Sequence, residues 1–420
     1  MLKNAIYAQS GGVTSVINAS AFGVINACRD MKDRIGTLYA AYNGILGILH
    51  EDLIDTANES DADIKALRYT PGGAFGSCRY KLESLEKNRK EYERLIEVFS
   101  AYNIEYFFYN GGNDSADTCL KVSLIANELG YPIKAIHIPK TIDNDLVITD
   151  NCPGFGSVAK YVATSIKEAG FDLASMCATS TKVFIMEVMG RNAGWIAASS
   201  ALASTDSSMP PHIILFPELV FDEGKFLSIV EQTVKSYGYC VIVTSEGIKN
   251  NAGELLSASG ISDAFGHAQL GGVASLLAEM VHKKLKYKCH YAIADYLQRS
   301  ARHIAARVDV EQAIAVGDAG VKLALSGHNA IMPYIKRVTQ EPYSWIIDYA
   351  KLEDVANYER FMPRSFINKN GFHITEECRN YLAPLIQGED HPPYIDGLPN
   401  YIKLKNVKVN KKLPAFTSTS

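Results

Sequence analysis

GGNDS at residues 111–115 and PKTIDND at 139–145 are the stretches on which the fold turns. Each follows an apolar run of strand character, YFFYN at 106–110 and AIHI at 135–138. The first run leads through Gly111 and Gly112 into a helical pattern that ends near Gly130. Such junctions belong to βαβ units, and the loops at strand ends are where open α/β sheets bind ligands.

The same pattern extends outward in both directions. Ile6-Tyr7-Ala8 precedes Gly11-Gly12 and helically spaced apolar residues from Val16 to Ile25. Downstream, helical patterns at 157–169, 194–203, 224–237, 271–286 and 307–326 alternate with strand-like runs at 183–188, 213–216, 240–244 and 290–295. Alternation of this kind implies right-handed crossovers and mainly parallel sheets. Short, apolar strands suit a sheet covered on both faces. The segment 81–103 reads as a charged amphipathic helix whose charge run is expected to face solvent. The chain after about 340 is tyrosine-rich and proline-punctuated, and no function is legible in it. It closes with a basic KLKNVKVNKK stretch and a Thr/Ser end expected to fray.

At 420 residues, two domains are expected rather than one. The chain is 47% apolar and 21% charged with a formal net charge of −4, which gives no reason to expect nucleic acid or a membrane surface as partner. The eight cysteines are scattered without CxxC pairs or zinc spacing, so they read as reduced thiols of a cytoplasmic protein. No signal peptide is visible, and no run approaches the ~20 apolar residues of a membrane span.

The candidate site lies in the turns. Ser10-Gly11-Gly12 closes a strand and opens a helix, where backbone N–H groups favour an anion. Asn113, Asp114 and Ser115 suit helix capping as well as chemistry. An acid at a phosphate-binding loop is unusual, because two unit charges about 4 Å apart interact by ~4 kcal/mol at an effective dielectric near 20. Asp114 is therefore expected either to act through Mg²⁺ or to exclude part of a larger phosphate donor. In PKTIDND, Lys140 can neutralise a transferring phosphoryl group and Asp143 can accept an alcohol proton, with Thr141 and Asp145 beside them. Arg79 offers a fork for phosphate oxygens or a surface charge. Met189-Gly190-Arg191, Ser245-Glu246-Gly247 and Tyr296-Leu297-Gln298-Arg299 end further strands, as simple turns or as a site for a phosphorylated polyol.

In this order SGG (10–12), GGNDS, TIDND (141–145), MGR (189–191), SEG (245–247) and YLQR (296–299) resemble the phosphofructokinase family over roughly residues 3–330. Its ATP-using members carry GGDGS and PGTIDND. Here Asp114 takes the place of a glycine in the first motif and Lys140 of the glycine in the second, a pairing similar to the pyrophosphate-dependent branch.

The resemblance implies two similar three-layer α/β domains with the active site in the cleft between them. Residues 1–150 plus about 298–345 would form the pyrophosphate side, and 151–297 plus about 346–420 the sugar-phosphate side. The implied activity is that of a reversible pyrophosphate-dependent 6-phosphofructokinase, with Mg²⁺ as cofactor and fructose 6-phosphate and pyrophosphate as ligands. The resemblance also implies a homodimer or homotetramer.

By the same resemblance, Gly12, Gly112 and Arg79 face the diphosphate, with Lys140 supplying charge and Asp114 excluding the nucleotide. Asp143 is the general base, Thr141 positions the acceptor, and Asn113 and Asp145 serve the metal. Met189, Gly190, Arg191, Glu246, Tyr296 and Arg299 bind the sugar phosphate. Lys182 and His290 stand where family members reach the 6-phosphate of a neighbouring subunit. Two rivals are an ATP-dependent enzyme of the same fold and a non-catalytic sugar-phosphate-binding subunit. The set Lys140, Asp143, Arg191, Glu246 and Arg299 argues against the second.

Overall fold

The computed structural model describes residues 2–206, 208–256, 258–262 and 268–417. The strands of its first half are β1 (Lys3–Gln9), β2 (Ile35–Ala41), β3 (Leu53–Asp55), β4 (Ile104–Gly111), β5 (Lys134–Pro139), β6 (Val183–Val188) and β7 (Ile213–Leu215). Then come β8 (Cys240–Ser245), β9 (Ala258–Ser262), β10 (Ala268–Leu270), β11 (Cys289–Ile293), β12 (Ile331–Thr339), β13 (Ser344–Lys351), β14 (Tyr394–Ile395) and β15 (Leu398–Pro399).

Two large sheets result. The first has the order β13-β12-β5-β4-β1-β2-β3, parallel except for its two edge strands β3 and β13. The second has the order β11-β6-β8-β7 and is parallel throughout. Successive side chains on a strand point to opposite faces, and both faces are covered. On β1, Ile6 and Ala8 belong to one core, whereas Ala5 and Tyr7 belong to the other. On β8, Val241 and Val243 face one core and Cys240 and Ile242 the other. This is the three-layer α/β arrangement that the apolar strands implied.

The order of each sheet reverses once, at a switch point between β1 and β4 in the first and between β6 and β8 in the second. Ligand crevices form beyond the carboxyl ends of strands at such points. Gly11 and Gly12 follow β1, and Gly112 follows β4; Met189 to Arg191 follow β6, and Glu246 follows β8.

The helix Phe155–Met176 packs its Phe155, Val162 and Ile166 with the second sheet, and the helix Arg307–Leu325 packs Val316 and Val321 on the first. The tail departs from the expected division. β13 extends the first sheet to Lys351, past the boundary near 345. Phe366, Ile374 and Leu385 join the second core, but Leu404, Val409, Leu413 and Phe416 return to the first.

The charged helix, Leu85–Ala101, keeps most of its charge run in solvent as expected, Glu86, Lys87, Arg89, Lys90 and Glu97 among it, with two exceptions. Glu91 and Arg94 are buried, not solvated, and Arg94 pairs with buried Glu51 at 2.9 Å. Glu51 in turn accepts from Tyr102 Oη at 3.0 Å and from the backbone N–H of Lys412 at 2.8 Å, so the basic stretch is pinned. The expected fraying of the Thr/Ser end concerns mainly residues 418–420, which lie outside the described residues.

Candidate active site

Three loops of the first sheet are stitched together by their own backbones. Gly11 has φ +72°, a left-handed conformation that suits glycine, and its N–H donates to Cys78 O at 3.0 Å. The N–H of Lys140 donates to Gly111 O at 3.0 Å, and buried His137 contacts the same carbonyl through Nε2 at 2.9 Å. Lys140 then reaches under the first loop, where its Nζ donates to Gly12 O at 2.6 Å.

The surroundings of Gly12 are cationic. A Cβ at this position would stand 2.6 Å from Arg299 Nη1 and 3.6 Å from Arg79 Nη2. Arg299 comes from the short helix Asp295–Ser300 beyond β11, so the second sheet supplies charge to the first. Its guanidinium lies over the Tyr296 ring at 3.9 Å.

The turn after β5 gathers acids. Asp143 N–H donates to Thr141 Oγ1 at 3.1 Å, and Asn144 takes a left-handed φ of +56°. Asn144 is buried, accepting from Cys152 N–H at 3.0 Å and donating to Tyr381 Oη at 3.0 Å. Asp143 and Asp145 consequently both line the cleft. Asn113 Nδ2 stands 3.5 Å from Asp145 Oδ2, while Asn113 Oδ1 and Asp145 Oδ1 are buried without a hydrogen-bond partner.

On the second sheet, Gly190 has φ +125° and donates its N–H to Glu246 Oε1 at 3.3 Å. Met189 N–H donates to Gln298 Oε1 at 3.3 Å. Ser245 Oγ donates to Gly190 O at 2.5 Å and accepts from Gly247 N–H at 3.0 Å, which joins the turns after β6 and β8.

Gly11, Gly12, Lys140, Asp143, Asp145, Met189, Glu246 and Arg299 among them line one cavity of about 1040 Å³. Burial, then the charge of Arg299, pulls the Lys140 ammonium down to about 8. Burial, Asp145, Glu246 and Glu359 push the Asp143 carboxyl up, against Lys140. Burial and Glu359 raise Asp145 likewise. Glu246 is pushed up to about 7 by burial, opposed by its bond from Gly190. A pocket with cations at one end and carboxyls poised near neutrality can bind phosphate groups and move a proton between hydroxyl and carboxylate.

The structure brings the expected residues together with three exceptions: Gly190, Lys182 and His290, which is exposed on β11. From the first sheet, Gly12, Arg79, Gly112, Asn113, Asp114, Lys140, Thr141, Asp143 and Asp145 line the cavity. From the second, Met189, Arg191, Glu246, Tyr296 and Arg299 do. Gly190 sits behind the lining, on Glu246. Lys182 is away from the cavity, its Nζ donating to Cys177 O.

Sequence reasoning missed Asn357, Tyr358 and Glu359, which reach the cavity from the tail, and Asn192 and Asp295. Asn192 follows Met189-Gly190-Arg191 directly and Asp295 precedes Tyr296, so both lie at the edge of sequence motifs. Nothing local marks the tail residues.

Comparison with known proteins points to one family. The family model described as Phosphofructokinase matches residues 4–322. The pyrophosphate–fructose 6-phosphate 1-phosphotransferase of Halomonas elongata is 63% identical over 98% of this chain and 99% of that protein. The protein of the same name from Methylococcus capsulatus is 62% identical over 99% of each. The crystal structure of a pyrophosphate-dependent phosphofructokinase from Nitrosospira multiformis superposes with a TM-score of 0.92 at 60% identity, covering 99% of this chain and 100% of that one. With likeness at this level along nearly its entire length, and with its strand-end loops meeting in one cleft, the chain belongs to the phosphofructokinase family.

Proposed function

We propose that the chain transfers a phosphoryl group from pyrophosphate to the 1-hydroxyl of fructose 6-phosphate, giving fructose 1,6-bisphosphate and phosphate. It acts as a pyrophosphate-dependent 6-phosphofructokinase. The observation that carries this reading is the convergence of Lys140, Arg79 and Arg299 on Gly12, with the Asp143 carboxyl in the same cavity.

In this reading Asp143 takes the proton of the 1-hydroxyl as its oxygen forms a bond to the terminal phosphorus. The P–O bond to the bridging oxygen breaks, and phosphate leaves against Lys140. The raised affinity of Asp143 for a proton suits a base working near neutral pH. The N–H groups at Gly12 and Gly112 and the guanidinium of Arg79 hold the diphosphate, and Asp114 repels a nucleotide's additional phosphate. Arg191, Glu246, Tyr296 and Arg299 hold the sugar phosphate, with Met189 and Gly190 shaping the wall and Thr141 orienting the acceptor.

The orphaned oxygens of Asn113 and Asp145 fit Mg²⁺. Among the described residues no cluster of three or more His, Cys, Asp or Glu could hold a metal by itself. Mg²⁺ ordinarily takes one or two protein oxygens plus substrate phosphates and water. When bound, it supplies neutralisation of phosphate charge.

The two domains follow the two sheets, with the tail shared between them as described. A homodimer or homotetramer is supported by β11, an edge strand that exposes Tyr291, and by Lys182, which does not line its own cavity and suits a partner's. A cytoplasmic location is supported by eight unpaired cysteines. No helix among the described residues is long and apolar enough to cross a membrane.

The deciding experiment compares donors, pyrophosphate against ATP, with fructose 6-phosphate and Mg²⁺ present. Good turnover with ATP and poor turnover with pyrophosphate overturns the donor assignment. Binding of fructose 6-phosphate without turnover with either donor points instead to a sensor.

A further inference from the structure

Residues 357–360 lie beyond every quoted motif, yet they touch three parts of the site. Asn357 turns the chain with a left-handed φ of +67°, and its Nδ2 donates to Asp117 Oδ1 at 3.0 Å, on the helix Asn113–Glu128. The Glu359 carboxylate accepts from Asn192 Nδ2 at 3.0 and 3.4 Å, next to Arg191. The Arg360 N–H donates to Asp145 O at 2.7 Å. Its guanidinium donates to the carbonyls of Asn144 at 2.8 and 3.1 Å, Thr149 at 2.6 Å and Asp150 at 2.8 Å. It also lies 5.0 Å from the Trp195 ring.

This segment is therefore a strap across the cleft. At one end it holds the helix that begins with Asn113 and Asp114. In the middle it holds the turn of Asp143 and Asp145. Through Glu359 it holds the loop after β6 that carries Arg191.

We propose that Glu359 is a positioning residue for the sugar-phosphate half of the site, holding Asn192, and with it the Arg191 loop, against the turn that carries Asp143. The proposal rests on the reading of the reaction given above. Arg191 is useful only if its guanidinium meets the sugar phosphate while the 1-hydroxyl lies at Asp143, and a displacement of about 1 Å costs catalysis heavily. The strap sets that separation from outside both loops.

The test compares Glu359→Ala, Glu359→Gln and Asn192→Ala. Glu359→Ala raises the KM for fructose 6-phosphate about tenfold, the size expected for losing a hydrogen bond to a charged group. The KM for pyrophosphate stays within about twofold. Glu359→Gln, which keeps an acceptor oxygen, restores the sugar KM to within about threefold. Adding Glu359→Ala to Asn192→Ala costs nothing further, as for two residues acting as a unit.

In parallel, amide hydrogen exchange is measured on the ligand-free protein, where residues 189–193 exchange faster in Glu359→Ala than in wild type. Equal rises in both KM values, failure of Glu359→Gln to restore, or unchanged exchange at 189–193 overturns the proposal. If wild type does not phosphorylate fructose 6-phosphate, the reaction reading fails, and the exchange measurement decides the strap alone. If Glu359→Ala does not fold, Asn192→Ala carries both measurements.

Discussion

The carboxylate of Asp114 pairs with the ammonium of Lys81 at 3.3 Å, on the half-exposed rim of the cleft. Asp114 is thus held by a partner outside PKTIDND, while Lys140 is committed to the Gly12 carbonyl below. Two of the residues that distinguish this chain from the ATP-type motif pattern act at different depths: the acid at the entrance, the cation in the floor.

An entrance charge should govern which donor enters. Asp114→Gly removes the repulsion that a nucleotide's additional phosphate meets, so kcat/KM for ATP rises at least tenfold. The value for pyrophosphate changes less, because a small donor seated at Gly12 does not extend to the rim. Initial rates with each donor check this. No gain with ATP removes Asp114 from donor selection.

The pH dependence follows from Lys140. Its ammonium titrates near 8 in the folded chain, against an ordinary lysine value of ~10.4 in the unfolded one. Catalysis needs the charged form, so kcat/KM with pyrophosphate falls as pH rises through about 8. An opposite, acid limb belongs to Asp143, which must lose its proton and which its surroundings hold above the usual carboxylate range. Lys140→Arg keeps its charge, so any activity it retains lacks the alkaline limb. Lys140→Gly loses about a hundredfold or more in turnover with pyrophosphate. Stability runs the other way: between pH 8 and 10.4 the unfolded chain binds the extra proton, so Lys140's contribution to stability rises with pH across that window. A pH–rate profile and denaturant melts at several pH values check the two signs.

Gly247 is required for the sugar side by contact alone. A Cβ there would stand 1.9 Å from the Arg191 carbonyl oxygen, far inside van der Waals contact. Gly247→Ala therefore displaces the Arg191 backbone and raises the KM for fructose 6-phosphate by about tenfold or more, with the fold retained by circular dichroism. An unchanged KM would show that the Arg191 loop yields without consequence.

Glu51 carries a structural prediction away from the site. Its carboxylate is buried, with Arg94, Tyr102 and the backbone N–H groups of Lys412 and Leu413 around it. Removing one member of a buried pair leaves the other charge uncompensated and costs about 3–5 kcal/mol. Glu51→Ala lowers the urea midpoint accordingly, and it frees the tail, so limited proteolysis cuts beyond residue 400 faster than in wild type. A midpoint within error of wild type contradicts this.

Much of this protein was legible from residue order because its information is local. Strand runs such as 183–188 and glycine turns such as 10–12 report on the backbone that makes them, and that grammar implied βαβ units and located the cleft-forming loops. Asp143, Arg191 and Glu246 stood out for the same reason, each in a turn at the end of its own strand, while Arg299 lies on the short helix beyond β11 and their roles came from the family resemblance.

What only the tertiary structure decided is which distant segments close on those turns. Most of the charge run at 81–103 is solvated as its pattern suggests, but Val409, Leu413 and Phe416 pack against the core beneath it and Arg94 is buried against Glu51. Glu359 stands 167 residues from Asn192 and in no periodic pattern, so nothing in its neighbourhood foretold their bond. Periodicity records the faces of helices and strands; a polar loop has no such face, and its partner is set by the closure of the whole chain.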